Sequence, residues 1–487
     1  MDIFRGKDVL AMDKEQISSG TDSLELMENA ANAIVEVAAE HFSSMIDIKA
    51  AVFCGHGNNG GDGIAAARLL ADSGAQVRCF HVGNGTFSKD AAEMAKRFAE
   101  AGGKVEIFDP ASRDIVDFCS KADLLVDAIF GVGFKGKLEG KFLEADRMIN
   151  WAPGYVISAD LPSGCQADTA LASPESVKAD VTVTFTGLKA VHAVQPAKSF
   201  CGKVKLYGIG ISDEIVRKYA PLAELVGSDF LDRVIPKRQA NTHKGDYGKL
   251  LVVGGSVGYT GAPYMAAQAA ARTGTGMVYL AVPESIYSIE AGRCEEIICL
   301  PMPSVGGKFS TKALSAVLQL AGKCDVCLIG PGIGRSKESD KFICDIIAGI
   351  KIPVVIDADG INAVSENINI LRSRTAPAVL TPHDIEFKRL GGNISAFGRI
   401  DAAYRMAGDL GVTVVLKGNT TVIADGKEAV YINTTGNPGM ARGGSGDVLA
   451  GVIAALIAQG ISCGDAAAAG VYLHGAAGDI CADSIGE

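Results

Sequence analysis

Short apolar runs that end in glycine-rich or carboxylate-bearing turns recur along the chain, and amphipathic stretches of helical spacing separate them. Leu24, Met27, Ala31, Ile34, Val35 and Ala38 fall on one helical face and predict a helix over 8–40, with Thr21 or Asp22 as a cap. An apolar strand at 48–54 enters Gly55-His56-Gly57-Asn58-Asn59-Gly60-Gly61-Asp62-Gly63, and a helix at 64–71 follows. Strand, glycine loop and helix in that order open a doubly wound parallel sheet, with the loop at its carboxyl edge. Further strands are expected at 76–82, 124–130, 155–160, 179–185 and 203–207. The same alternation resumes with strands at 249–253, 277–282, 326–330, 354–357, 378–380 and 412–416. Between the two series, charged residues and prolines from Asp213 to Arg238 break any sheet pattern. The expectation is an α/β chain of two domains, 1–225 and 226–487, each a doubly wound three-layer αβα sandwich.

Length agrees, since 487 residues exceed what one ordinary core organises. The formal net charge of −10 argues against a nucleic-acid partner and favours a small molecule. The longest apolar run, 448–458, is shorter than a membrane span, and the N-terminus lacks the apolar centre of a signal peptide. A cytoplasmic protein with no membrane partner is expected. The twelve cysteines follow no framework spacing, so no disulfide is predicted. Cys324 and Cys327 spell CxxC within an apolar strand, where positions three apart face opposite sides and cannot share a metal.

The candidate chemistry lies at strand ends. Gly55 to Gly60 spells G-x-G-x-x-G, but the next strand ends in Gly83-Asn84-Gly85 without the carboxylate that would hold a dinucleotide ribose. Asn58, Asn59 and Asp62 are instead able to hold a cation or polar substrate groups. His56 could act as a base, although a lone loop histidine is more often a hydrogen-bonding spacer. Asp127 leads into Gly131-Val132-Gly133-Phe134-Lys135-Gly136-Lys137, and Asp160 into Leu161-Pro162-Ser163-Gly164. Singly, each aspartate could be a turn residue; together these strand ends converge on one pocket.

In the second half, Asn437-Pro438-Gly439-Met440-Ala441-Arg442-Gly443-Gly444-Ser445-Gly446-Asp447 precedes the apolar run. Small residues at 443–446 let backbone N–H groups converge on an anion at a helix start, and Asp447 stands where a carboxylate can take a proton from a hydroxyl. The plainer alternative is a glycine turn entering a core helix. Lys417 before Gly418 could meet a nucleotide phosphate or be a surface lysine, and His383 could be a loop hydrogen-bonder.

Met27-Glu28-Asn29-Ala30, Gly57 to Gly63, Asp127-Ala128-Ile129-Phe130-Gly131 and Asp160-Leu161-Pro162-Ser163-Gly164, in that order, closely resemble the NAD(P)H-hydrate epimerase family over roughly residues 1–215. The resemblance implies a Rossmann-like domain in which potassium and hydrated dinucleotide share a pocket. Asn59, Asp127 and Ser163 then match potassium ligands. Asn58, Asn59, Gly60, Gly61, Asp62, Gly131 to Lys137 and Asp160 match substrate contacts, and Asp160 could assist proton movement. Ala31 departs from a frequent glycine.

From about 235 onward, Gly330 to Arg335, Asp357 to Asn362, Thr381 to Glu386, Lys417 to Thr421 and the 437–447 stretch resemble the NAD(P)H-hydrate dehydratase family of the ribokinase-like superfamily. That resemblance implies hydrate binding by Ala262, Gly334, His383 and Asp447, and nucleotide binding by Lys417, Gly418, Asn419, Thr420, Thr421 and Gly446. Asp447 would be the base, ADP the co-substrate by resemblance only, and magnesium its companion. Ile385 stands where the family usually has glycine. The implied activity is repair of NADH and NADPH hydrates by a homo-oligomer: epimerisation in the first domain, then dehydration of the S epimer with ADP converted to AMP and phosphate. A sugar or vitamin-alcohol kinase with a regulatory domain is the alternative, and a non-catalytic first domain a third reading.

Overall fold

Seven parallel strands form the sheet of the N-terminal half: β1 (Lys49–Cys54), β2 (Gln76–His81), β3 (Val105–Ile107), β4 (Leu124–Ala128), β5 (Tyr155–Ala159), β6 (Val181–Phe185) and β7 (Lys203–Tyr207), in the order β3-β2-β1-β4-β5-β6-β7. These strands read as nearly continuous apolar runs because helices cover both faces. Met27, Ile34, Ile64 and Leu70 pack one face, and Phe53, Phe80 and Phe108 cluster on the other. Each buried phenylalanine removes roughly 150–250 Å² from water and contributes roughly 1.5–3 kcal/mol.

The computed structural model describes residues 1–426 and 428–486. The helix expected over 8–40 is two helices, α1 (Gly6–Ser18) and α2 (Ser23–His41). Gly20, at φ +115°, ends the first in a conformation that L side chains resist, and the Asp22 carboxylate accepts the Leu24 N–H to start the second. The chain divides into two compact units, Asp2–Leu222 and the residues from Ala223 onward, with Met1 counted in the latter.

The second unit's sheet contains β8 (Ala223–Leu225), β9 (Lys249–Val253), β10 (Met277–Pro283), β11 (Ile298–Met302), β12 (Val326–Ile329), β13 (Val354–Ile356), β14 (Ala378–Leu380), β15 (Thr413–Leu416), β16 (Thr421–Asp425) and β17 (Ala429–Asn433). Their order is β8-β17-β16-β15-β14-β13-β12-β9-β10-β11. The strands from β9 to β15 pair in parallel, whereas β15, β16 and β17 form an antiparallel meander that the pattern of apolar runs did not reveal. In each sheet the chain order reverses beside the first strand of the series, between β1 and β4 and between β9 and β12. Loops leaving the carboxyl ends of such strands splay apart and leave a crevice.

Candidate functional sites

In the N-terminal unit the crevice is entered by α3 (Asn58–Asp72), so Asn58, Asn59, Gly60, Gly61 and Asp62 form the first turns of a helix and not a loop. A Cβ on Gly60 would come within 2.0 Å of the Gly55 carbonyl oxygen, so only glycine lets the helix start lie against the end of β1. Asn59 Nδ2 then donates to the Phe130 carbonyl (2.9 Å), while the Phe130 N–H donates to Ser163 Oγ (3.2 Å). Ser163 in turn donates its hydroxyl to Asp127 Oδ1 (2.5 Å), and its N–H to Oδ2 (2.8 Å), which also accepts from Ser158 Oγ (2.9 Å). Asn59, Asp127 and Ser163 thus meet around Phe130. Burial pushes the Asp127 carboxyl up, against the hydrogen bonds from Ser163 and Ser158. Among the described residues it has no cationic partner within bonding distance, so a buried carboxylate and neighbouring oxygen groups offer what a hard cation needs.

Asp160 leaves β5 at φ +64°, held by its N–H to the Val183 carbonyl (2.7 Å) and by His192 Nε2 on its own carbonyl (2.8 Å). Its Oδ1 accepts from Lys189 Nζ (2.6 Å) and Thr184 Oγ1 (3.1 Å). Lys189, with a side chain 1% exposed, also donates to Thr184 Oγ1 and the Phe185 carbonyl. Burial alone would raise the Asp160 carboxyl, but the Lys189 charge and hydrogen bond outweigh it and hold the group below its ordinary value. Burial and the same lysine push His192 down to about 4, so that ring is neutral. Its Nδ1 accepts the Lys189 N–H (3.0 Å), which leaves the proton on Nε2 for the Asp160 carbonyl.

A cavity of about 730 Å³ opens here, walled by Asn58, Asn59, Asp62, Asp160 and Lys189, and by Gly131, Val132, Gly133, Phe134, Lys135 and Lys137. Gly60, Gly61 and Gly136 are not on that wall. Gly60 and Gly61 are buried and serve close packing; a Cβ on Gly61 would meet the Met27 sulfur at 2.6 Å. His56 lines the cavity, with its ring beside Gly85. Asp13 and Lys189, absent from the sequence expectations, share the wall. Lys189 did leave a signal, as a lysine in the mainly apolar stretch Leu188 to Ala193, which His192 alone also interrupts. Asp13 left none, because α1 is amphipathic and charged elsewhere.

In the C-terminal unit, α4 (Gly261–Arg272), α5 (Asp384–Arg389), α6 (Ser445–Ala458) and α7 (Cys463–Ile485) carry the remaining expected residues or support them. Gly444, at φ +92°, turns the chain into α6, and Asp447 lies in its first turn, half-buried. A Cβ on Gly451 would fall 2.1 Å from the Ala266 carbonyl oxygen, so α6 and α4 touch backbone to backbone. At the start of α6 a Cβ on Gly444 would meet the Met265 sulfur of α4 at 2.6 Å, and the Ala262 methyl, one turn earlier in α4, borders Gly332. Gly334 donates its N–H to Asp359 Oδ2 (2.9 Å).

Lys417 Nζ donates to Asp357 Oδ1 (3.1 Å), the oxygen that also accepts from Thr381 Oγ1 (2.6 Å), and lies 3.3 Å from where a Gly446 Cβ would stand. Any side chain at 446 would crowd the ammonium. Although burial lowers the Lys417 pKa, Asp357, Glu386 and Asp447 raise it further, and the lysine stays charged. Burial, then Asp357, push the Asp447 carboxyl up to about 6, with Lys417 opposing. His383 caps α5: its Nδ1 accepts the Ile385 and Glu386 N–H groups (3.2 and 3.4 Å), and Glu386 returns the bond to the His383 N–H (2.9 Å). The ring is half-exposed, and its Nε2 lies 3.5 Å from Glu386 Oε2. Ile385, which stands in place of a glycine, is exposed and leaves this cap intact.

Lys417 to Thr420 form the turn from β15 into β16, and Thr421 is the first residue of β16. Thr420 and Thr421 are buried, so the accessible parts of this nucleotide candidate are Lys417, Gly418 and Asn419. Arg399, not expected from the sequence, donates to the Leu416 and Lys417 carbonyls and to Asp384 and fixes the turn. A separate cavity of about 650 Å³, bordered by Arg238, Tyr247, Val452 and His474, includes none of the expected binding residues.

Residues 23–191 match the family model of the YjeF-related protein N-terminus, and residues 250–486 match that of NAD(P)H-hydrate dehydratase. Solved structures similar to the chain include a ribokinase-like superfamily protein from Enterococcus faecalis (30% identity, TM-score 0.48, 55% of this chain and 90% of that one). An ADP/ATP-dependent NAD(P)H-hydrate dehydratase from Bacillus subtilis, co-crystallised with ATP and Mg²⁺, is 27% identical (TM-score 0.46, 54% and 90%). A bifunctional NAD(P)H-hydrate repair enzyme from Moorella thermoacetica is 39% identical over 96% of this chain and 89% of the relative. The chain belongs to the bifunctional NAD(P)H-hydrate repair enzyme family.

Proposed function

We propose that the chain restores NADH and NADPH from their hydrates in two steps, epimerisation within residues 1–225 and dehydration within residues 226–487. The observation that carries this reading is the start of α6: a half-buried Asp447 carboxyl, a charged Lys417 beside Gly446, and N–H groups without a preceding helical turn to receive them. A phosphoryl group there meets positive charge and backbone donors while Asp447 takes the proton of the attacking hydroxyl. Phosphate is a far better leaving group than hydroxide, and the ring nitrogen's electron pair expels it. Ala262, Gly334 and the half-exposed His383 ring border the hydrate, and Lys417, Gly418, Asn419 and Gly446 the nucleotide, taken as ADP, with the buried Thr420 and Thr421 supporting that turn.

The carboxyls of Asp357 and Asp359 both act electrostatically on Asp447, which leaves the site short of positive charge for a diphosphate. Magnesium bound with the nucleotide would supply it. In the N-terminal unit Asn59, Asp127 and Ser163 would hold potassium, whose charge offsets the buried Asp127. Substrate contacts there are Asn58, Asn59, Asp62, Asp160 and the 131–137 loop, with Gly60, Gly61 and Gly136 shaping them. The Lys189 pair keeps Asp160 ionised. The reading includes a homo-oligomer in the cytoplasm that uses small-molecule substrates without a nucleic-acid or membrane partner; no helix among the described residues is long and apolar enough to cross a membrane.

The test is to incubate mixed NADH-hydrate epimers with the protein, ADP, magnesium and potassium, and to follow the near-ultraviolet absorbance of NADH. Full recovery supports both steps. Recovery of the S share alone removes the epimerase assignment, and no recovery with ADP or ATP removes the whole reading.

A further inference from the structure

Inverting a carbon that bears a hydroxyl beside a ring nitrogen requires two proton carriers in opposite states. One must accept the hydroxyl proton as the carbonyl forms. The other must protonate the nitrogen as the carbon–nitrogen bond breaks and its electron pair returns to nitrogen. Asp160 suits only the first task, since Lys189 and Thr184 hold it ionised through Oδ1. Lys189 is itself fixed by three acceptors, and His192 is neutral with both ring nitrogens engaged, so neither is free to be the second carrier. His56 lies on the wall near α3 and interacts electrostatically with His81.

Asp13, on α1, differs from all of these. It lines the same cavity, and its Oδ1 is buried without a hydrogen-bond partner. Two charged groups act on it in opposite senses, Lys189 and Asp160, and Asp62 of α3, whose own carboxyl burial pushes well up, lines the same cavity. A half-buried carboxyl with one oxygen sealed and unbonded, next to the Asp160 carboxylate, is an arrangement that favours keeping a proton.

We propose that Asp13 is the general acid of the epimerisation, paired with Asp160 as the base, an assignment that rests on the epimerase reading of this cavity. The substrate hydroxyl gives its proton to Asp160 while the carbon–oxygen double bond forms. The ring carbon–nitrogen bond breaks, and Asp13 donates its proton to the nitrogen. The open intermediate carries an aldehyde and an N–H. After rotation about the adjacent carbon–carbon bond, nitrogen attacks the other face of the aldehyde, its proton returns to Asp13, and the new alkoxide recovers the proton held by Asp160. No net proton, electron or co-reactant is consumed.

Burial first, then Asp160, place the Asp13 carboxyl at about 6 against the opposing pull of Lys189. The full chain, without ADP, is assayed for R-to-S interconversion by chromatography from pH 5 to 8, with the uncatalysed rate subtracted. The wild-type kcat/KM should fall tenfold per pH unit above about 6. Asp13→Asn should lower kcat by about 10²-fold with KM within twofold and abolish that limb, and Asp13→Glu should restore part of both. A flat wild-type profile over this range overturns the proposal even if no variant folds. So does an Asp13→Asn protein of wild-type rate and profile, or an Asp62→Asn protein that alone loses the limb. Asp160→Ala distinguishes the two levels: if it too leaves interconversion unchanged, the assignment of epimerisation to this cavity fails and not merely the role of Asp13.

Discussion

The two sites occupy the same place in two sheets of the same kind, yet they hold their charges in different ways. In the N-terminal unit the critical lysine is sealed inside, satisfied by Asp160, Thr184 and a carbonyl, and the carboxylate it serves sits on a left-handed residue. In the C-terminal unit Lys417 keeps about a fifth of its side chain exposed, and the Asp447 carboxyl, proposed as the base, rides on the first turn of a long apolar helix. A sealed pair fixes the ionisation of one group, which suits the proton shuffling proposed for the N-terminal unit. An open pair at a helix start leaves room for a second, highly charged substrate. The same parallel-sheet crevice therefore serves isomerisation when it is lined by buried carboxyls, and group transfer when a helix N-terminus faces it.

The sharpest way to separate the two is Asp447→Asn, expected to lower ADP-dependent dehydration by about 10³-fold while interconversion of the epimers is unchanged. Equal loss of both activities would show that the sites are not independent.

Next in size is Lys189→Met, which leaves Asp160 buried without its cation and should destabilise the N-terminal unit by about 3–5 kcal/mol in denaturant unfolding. Lys417→Met, at a more open site, should cost less stability but still remove nucleotide-dependent turnover. A reversal of that order would contradict the contrast between sealed and open pairs.

A smaller effect is expected from Gly451→Ala. Its methyl would meet the Ala266 carbonyl, force α4 and α6 apart and cost about 1–3 kcal/mol. Dehydration should weaken with it, because the helix start moves, and epimerisation should not.

The smallest effect is one of pH. Since Asp447 must be ionised to act as a base and its carboxyl is raised to about 6, dehydration of pure S epimer should be halved near pH 6 and level off above pH 7. Its limb rises with pH, opposite in sign to the one expected of the N-terminal unit, and kinetics from pH 5 to 8 would show both.

Much of this was legible in the chain itself. Apolar runs ending in Asp127, Asp160, Gly330 and Lys417 announced parallel strands with functional carboxyl ends, because a strand buried on both faces has to be continuously apolar. Glycines at 444 and 446 marked a helix start that needs φ above zero and an approachable backbone. These are local requirements, and local sequence meets them. What escaped depended on neighbours distant in the chain. Asn58 to Asp62 read as a loop, because glycine and asparagine disfavour helix; packing against Gly55 overrides that preference. The meander from β15 to β17 escaped because short antiparallel strands of mixed polarity lack a distinct period.

The sequence by itself determined two α/β units and the residue types of each site. Only tertiary structure decided which groups share a cavity and in which charge state. Lys189 meets Asp160 across 29 positions, Lys417 meets Asp357 across 60, and Asp13 reaches the same wall from a helix with no motif of its own. Ionisation depends on burial and on the nearest charge, and neither has a period that a linear chain can display.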